Sequence, residues 1–206
     1  MGIINATPDS FSGDGVAFDL VRAVEQAHAF VADGADILDI GGESTRPGAV
    51  PVGAEEEIRR VVPLIEALRE LKVPLSIDTF KPEVMRAALA AGATLINDIN
   101  ALRAPGAVEV AAASDAGICL MHMQGTPQTM QDDPAYENVV AEVKAFLVER
   151  IEACRAAGIG RERIVIDPGF GFGKTSEHNL ELLRGLDRFV ATGYPVLVGL
   201  SRKSVL

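Results

Sequence analysis

The chain has 206 residues, enough for one domain with a sizeable core, and 48% apolar with 23% charged residues is the make-up of a globular protein. A formal net charge of −10 argues against non-specific binding to nucleic acid or to a membrane surface, and no apolar run approaches the ~18 residues of a membrane span. Cys119 and Cys154 are too few for a disulfide framework, so buried thiols in a reducing cytoplasm are expected.

In chain order, Met1–Thr7 reads as an apolar strand and Pro8–Gly15 as a polar loop. Asp19–Asp33 reads as a helix, with Leu20, Val24, Ala27 and Val31 on one stripe and Gly34 as its stop. Asp36–Gly42 is the second strand, followed by the loop Glu43–Gly48. A helix over Glu55–Leu71 begins with a run of glutamates, which the macrodipole favours. Pro74–Thr79 is the third strand, and Pro82–Ala91 a helix with proline at its start and Gly92 at its end. Thr94–Ile99 and Gly117–Met123 are strands around a short helix near Gly106–Ser114. After a polar loop, Val140, Val143, Leu147, Ile151 and Cys154 predict one side of a long helix. Ile164–Asp167 is the sixth strand, Leu180, Leu183, Leu186 and Phe189 mark the next helix, and Pro195–Leu200 is the seventh strand.

Strands alternating with helices in this way predict a parallel α/β protein. The expected architecture is a TIM (β/α)8-type barrel, one domain over residues 1–206, with seven of eight strands present and its C-terminal βα units lacking. An open doubly wound sheet is the alternative.

The chemistry gathers at the carboxyl ends of the strands, where barrels and open sheets both place their ligands: Asn5, Asp39, Asp78, Asn97, His122, Asp167 and Ser201-Arg202-Lys203. Side chains alternate along a strand, so Ser76 shares a face with Asp78, Leu95 with Asn97, and Val165 with Asp167. Asp98 has the opposite parity and is expected to be structural. The glycine-rich run after Asp167 fits neither nucleotide motif: Pro168 stands where a P-loop needs glycine, and Lys174 where a dinucleotide fingerprint does. Asp78 and Asp167 only accept, Asn97 does both, and Lys203 donates. That set suits a planar heterocycle with amino and ring N–H groups on one edge and a carbonyl on another. The loops Thr7–Gly15 and Ser44–Gly48, with Arg46, suit phosphate oxygens. His122 has no second His or Cys at metal spacing, so zinc is not expected, and Met121 is either core or the flank of a ring.

Several blocks then resemble one family. Met1–Ser12, Asp39–Gly48, Ile77–Thr79, Ile96–Ile99, Met121–Gln124, Asp167–Lys174 and Ser201–Lys203 are similar, in the same order, to the dihydropteroate synthases. The resemblance implies a TIM barrel that condenses 6-hydroxymethyl-7,8-dihydropterin diphosphate with p-aminobenzoate to 7,8-dihydropteroate and pyrophosphate in folate biosynthesis, with sulfonamides competing for the aminobenzoate position. It implies that Asp78, Asn97, Asp167 and Lys203 read the pterin ring, with Met121 and Phe172 nearby. Asn5 would meet a Mg²⁺ ion accompanying the diphosphate, and Thr45 and Arg46 would lie on a loop over the site, with Phe11 on another. Ser201 would lie near the aminobenzoate carboxylate, and Arg46 and Lys203 would act in catalysis. With no long apolar run and no basic segment ahead of one at the N-terminus, a cytoplasmic protein is expected, with neither nucleic acid nor membrane as partner and a homodimer at full length. An Arg/His pair that helps bind the diphosphate on the family's last strand lies beyond residue 206, so the 206-residue chain by itself is expected to turn over poorly. A pterin-dependent methyltransferase domain is the rival enzyme, disfavoured by the Ser44–Pro47 block, by Asn5 with its following loop and by the Ser201–Lys203 block, and a non-catalytic pterin-binding remnant is the alternative of another class.

Overall fold

The computed structural model describes residues 1–7, 19–44 and 49–201. These residues pack as two compact units. The first comprises residues 1–7, 19–44, 50–97 and 104–116, and the second residues 49, 98–103 and 117–201.

The first unit is a parallel sheet in the order β1 (Gly2–Asn5), β2 (Leu38–Gly41), β3 (Leu75–Asp78) and β4 (Leu95–Asp98). Helices α1 (Leu20–Ala32), α2 (Ala54–Leu68), α3 (Pro82–Ala91) and α4 (Ala107–Ala112) connect or flank the strands. Each strand is shorter than its apolar run, although flanking residues such as Ala6, Pro74 and Thr79 still bond across to the neighbouring strand. Ile4, Leu38, Ile40, Ile77 and Ile96 are fully buried on one face of the sheet, where α1 packs on β1 and α2 on β2. The other parity carries Asn5, Asp39, Ser76, Asp78 and Asn97, so the period of two sorts core from chemistry.

The helix ends follow their sequence signals. Asp19 caps α1 by accepting from Arg22 N–H at 3.1 Å, and Gly92 closes α3 at φ +125°. Lys81, just ahead of α3, ties three segments together. Its ammonium pairs with Glu57 on α2 at 2.5 Å and with Glu43 after β2, while Glu43 also accepts from Val52 N–H at 3.2 Å. Burial alone would lower the Lys81 pKa, but the two carboxylates raise it above the ordinary value.

In the second unit β5 (Gly117–Met121) pairs in parallel with β6 (Ile164–Asp167), and α5 (Val139–Ala156), α6 (Ser176–Arg184) and α7 (Leu186–Val190) complete it. The buried stripe of α5 is Val139, Val143, Leu147, Ile151 and Cys154, so Val139 takes the place expected for Val140. The single helix expected to display Leu180, Leu183, Leu186 and Phe189 breaks at Gly185 into α6 and α7. Its buried residues are Asn179, Leu182 and Phe189, leaving Leu180 and Leu183 exposed. A side chain at Gly185 would come within 3.0 Å of Val140, and that close approach of α5 accounts for the glycine.

The expected seventh strand is reduced to one bridge, Ile166 with Val196. Ile166 N–H donates to Pro195 O at 3.0 Å and Leu197 N–H to Ile166 O at 2.9 Å. No further pairing among the described residues extends it. Asp98 is structural, as its parity required: its carboxylate accepts from Asn100 N–H at 2.7 Å and Leu102 N–H at 2.8 Å. Those bonds secure a turn in which Ala101 and Leu102 hold positive φ values of 51° and 55°. Burial raises Asp98 to about 6.

Candidate active site

In the first unit the register lines up Asn5, Gly41, Asp78 and Asn97 as successive neighbours across the sheet. Paired residues of parallel strands share a face, so this is one row at the carboxyl ends of β1 to β4. Asn5 is exposed, and Asp78 and Asn97 are half-buried. A Cβ on Gly41 would sit 3.5 Å from Asp78 Oδ2, so the glycine leaves a recess between Asn5 and Asp78. Backbone bonds fix the row, with Ala6 N–H donating to Gly41 O at 2.7 Å and Thr79 N–H to Asn97 O at 3.1 Å.

One level deeper on the same face, Asp39 pairs in register with Ser76. Asp39 is 3% exposed, and its Oδ2 accepts from Asn97 Nδ2 at 3.0 Å. Burial raises the Asp39 pKa; the Ser76 hydroxyl and the Asn97 amide pull it back in part. The Ser76 hydroxyl stands beside the carboxyl without completing an aligned bond: Asp39 Oδ1 and Ser76 Oγ are both buried without a hydrogen-bond partner.

In the second unit Met121 and Asp167 are register partners at the carboxyl ends of β5 and β6, both buried. Asp167 Oδ1 accepts from Gly169 N–H at 2.7 Å, and its backbone carbonyl accepts from His122 N–H at 3.0 Å. Gly169 holds φ +71°, and a Cβ there would lie 1.9 Å from His122 O, so no other residue fits without moving the backbone.

The loop from Pro168 to Lys174 closes on the Lys174 ammonium. Lys174 is 2% exposed, and its Nζ donates to Phe172 O at 2.8 Å, Gly169 O at 3.0 Å and His122 Nδ1 at 3.0 Å. Burial first, then the Lys174 and Arg103 charges, push His122 down to about 3. Its imidazole is therefore neutral, with Nδ1 as the acceptor and the proton on Nε2. The loop is also held from outside by Gln131 to Gly171 O and by Tyr136 to Gly173 O, each at 2.8 Å.

Thus Asn5, Asp78 and Asn97 come together in one unit, and Met121, Asp167 and the Phe172 loop in the other. Ser201 is an exposed turn residue. Thr45, Arg46, Phe11 and Lys203 lie outside the described residues. Sequence reasoning missed Lys174 and the Asp39–Asn97 bond. A lysine ending a glycine-rich run was a visible signal for the first; the second depends on register, which the sequence does not carry.

A row of polar strand ends over a parallel α/β sheet is the arrangement of an α/β enzyme site, and the chain belongs to the pterin-binding enzyme family, whose model matches residues 1–206. Its similar proteins are dihydropteroate synthases. That of Escherichia coli K12 is 51% identical over 100% of this chain and 73% of its own length. The Xanthomonas albilineans dihydropteroate synthase, solved with 4-aminobenzoic acid, is 55% identical at a TM-score of 0.93, covering 100% of this chain and 73% of its own. The Yersinia pestis enzyme in a sulfonamide drug complex is 48% identical at a TM-score of 0.94, covering 100% of this chain and 75% of its own. These relatives are TIM barrels, and the α/β barrel is the fold class of this chain, which spans about three quarters of their length.

Proposed function

We propose that this chain joins 6-hydroxymethyl-7,8-dihydropterin diphosphate to p-aminobenzoate, releasing pyrophosphate and 7,8-dihydropteroate. The observation that carries the reading is the row Asn5–Gly41–Asp78–Asn97, in which a carboxylate and an amide stand side by side at half-buried strand ends. The X. albilineans dihydropteroate synthase has been solved with 7,8-dihydropteroate as well as with 4-aminobenzoic acid, in line with this product.

In this reaction the amine nitrogen attacks the methylene carbon of the pterin. The C–O bond breaks with its electron pair going to pyrophosphate, and the amine loses a proton to solvent. Asp78 and Asp167 accept from ring N–H groups, where a carboxylate facing a guanidine-like edge makes paired hydrogen bonds. Asn97 adds an amide, Lys203 donates to the ring carbonyl, and Met121 and Phe172 flank the ring. Arg46, with Thr45 beside it, offsets charge growing on the departing diphosphate, and Ser201 meets the aminobenzoate carboxylate. As positive charge develops next to the ring, the carboxylates that hold the ring stabilise it.

A metal ion fits the residues present in one respect. Among the described residues no three His, Cys, Asp or Glu side chains converge to cage an ion, but Asn5 offers a neutral, exposed oxygen at the end of the row. Mg²⁺ takes few protein ligands and completes its shell with water and phosphate oxygens, and when bound through Asn5 it would supply positive charge against the leaving pyrophosphate. The buried thiols of Cys119 and Cys154 fit the reducing cytoplasm we propose for the chain.

The test follows labelled p-aminobenzoate into dihydropteroate, with Mg²⁺ present or removed, in wild type and in Asp167→Asn. Product formation that needs Mg²⁺, with pterin affinity at least about tenfold weaker in the variant, is expected for a lost charged hydrogen bond. Label that never enters a pteroate, with no pyrophosphate released, refutes the proposal.

A further inference from the structure

We propose that Asp39 is a positioning residue: it holds the Asn97 side chain with the amide nitrogen turned into the sheet, which leaves the amide oxygen as an acceptor for a ring N–H. The inference rests on the reading above that Asn97 binds the pterin ring.

Three observations support it. The Asn97 backbone is already fixed, since its carbonyl accepts from Thr79 N–H at 3.1 Å, so only the side-chain torsions remain to be set. Asp39 sets them: its Oδ2 accepts from Asn97 Nδ2 at 3.0 Å, from the level directly beneath. With the amide turned over, the Asn97 oxygen would face a carboxyl oxygen, acceptor against acceptor. The bond also survives a change of protonation, because a proton on Asp39 Oδ1 leaves Oδ2 an acceptor.

The third observation is cost. Asp39 is 3% exposed, its Oδ1 has only the Ser76 hydroxyl beside it without an aligned bond, and burial disfavours its charge. A buried carboxyl satisfied on one oxygen alone is expensive, and a leucine would fill the space with no such penalty. Packing therefore does not account for an acid here. Orientation of the neighbouring amide does.

The experiment is a double-mutant cycle read by calorimetry with 6-hydroxymethylpterin, using wild type, Asp39→Leu, Asn97→Ala and the combination. Each single change is expected to weaken binding about tenfold, the size of one lost hydrogen bond, and the double variant no more than either alone. Asp39→Asn, whose amide oxygen can still accept from Asn97, is expected to stay within about threefold of wild type. Losses that multiply in the double variant, or Asp39→Leu binding like wild type, overturn the role of Asp39 while leaving pterin binding intact. Wild type that binds no pterin overturns the ring-binding reading and this inference with it. Should Asp39→Leu fail to fold, side-chain amide NMR of the wild type decides. Asn97 Nδ2 protons protected from exchange and restored to that state in Asp39→Asn support the proposal, and protons exchanging as fast as those of an exposed asparagine refute it.

Discussion

Replacing Lys174 with methionine keeps most of the buried stem and removes the ammonium that closes the loop after β6. Three acceptors lose this donor, Phe172 O at 2.8 Å, His122 Nδ1 at 3.0 Å and His122 O at 3.4 Å, while Gly169 O, at 3.0 Å from the ammonium, keeps Phe172 N–H at 3.1 Å. A buried acceptor left unpaired costs roughly 1–3 kcal/mol, so the gross loss is about 3–9 kcal/mol. Against this stands relief from holding an ammonium out of water, itself several kcal/mol. Because the lysine is 2% exposed, both effects act nearly in full, and we expect a net destabilisation of about 3 kcal/mol. For a chain of this size that corresponds to a melting point lower by roughly 6–12 °C. His122 should respond as well. Its pKa of about 3 reflects burial first and the Lys174 charge second, so removing that charge should raise it while burial keeps it below the ordinary histidine value. Urea unfolding followed by circular dichroism gives the first quantity, and NMR titration of the His122 ring gives the second. A loss under about 1 kcal/mol, together with an unmoved histidine, would refute the reasoning.

Gly169→Ala forces a Cβ to 1.9 Å from His122 O at a φ of +71°, so the backbone must shift and the 2.7 Å bond from Gly169 N–H to Asp167 is disturbed. A loss of more than about 3 kcal/mol is expected in urea titration, and wild-type stability would show that the loop gives way freely. The pH dependence of stability carries two opposed contributions. Asp98 keeps its proton in the fold up to about 6 but loses it near 3.8 when unfolded, so its contribution is present below 3.8 and lost as pH rises through 6. His122 stays neutral in the fold down to about 3 but takes a proton near 6.5 when unfolded, so its contribution is present above 6.5 and lost as pH falls towards 3. Between about pH 4 and 6 the two slopes cancel. Asp98→Asn removes one, and stability should then climb about 1.4 kcal/mol more steeply per pH unit than in wild type across that window. Equal slopes in the two proteins would contradict the Asp98 assignment.

Much of this architecture could be read from residue order because local signals agreed with the global fold. Asp19 and Gly92 ended their helices as expected, and strand parity sent Asp78 and Asn97 to one face and Asp98 to the other. What failed to show had physical causes. The apolar stripe Leu180–Leu183–Leu186 looked like a core face, yet Gly185 bends the chain and turns Asn179 and Leu182 inward instead. Val139 and Val140 are chemically alike, and only packing decides which is buried. Lys174 ends a glycine-rich run, but only the folding-back of that loop brings carbonyls to its ammonium. Of the candidate site, Asp78, Asn97 and Asp167 were found by parity, whereas the level of Asn5 relative to Asp78 follows from register through Gly41, a residue with no side chain to draw notice.

The stitching of the Pro168–Lys174 turn bears on how a ligand would be met there. With Lys174, Asn179, Gln131 and Tyr136 all bonded to its backbone, that segment has little conformational freedom left to surrender. A molecule docking beside Asp167 would meet a wall whose entropy was already lost during folding, so its affinity should report contacts made rather than order imposed.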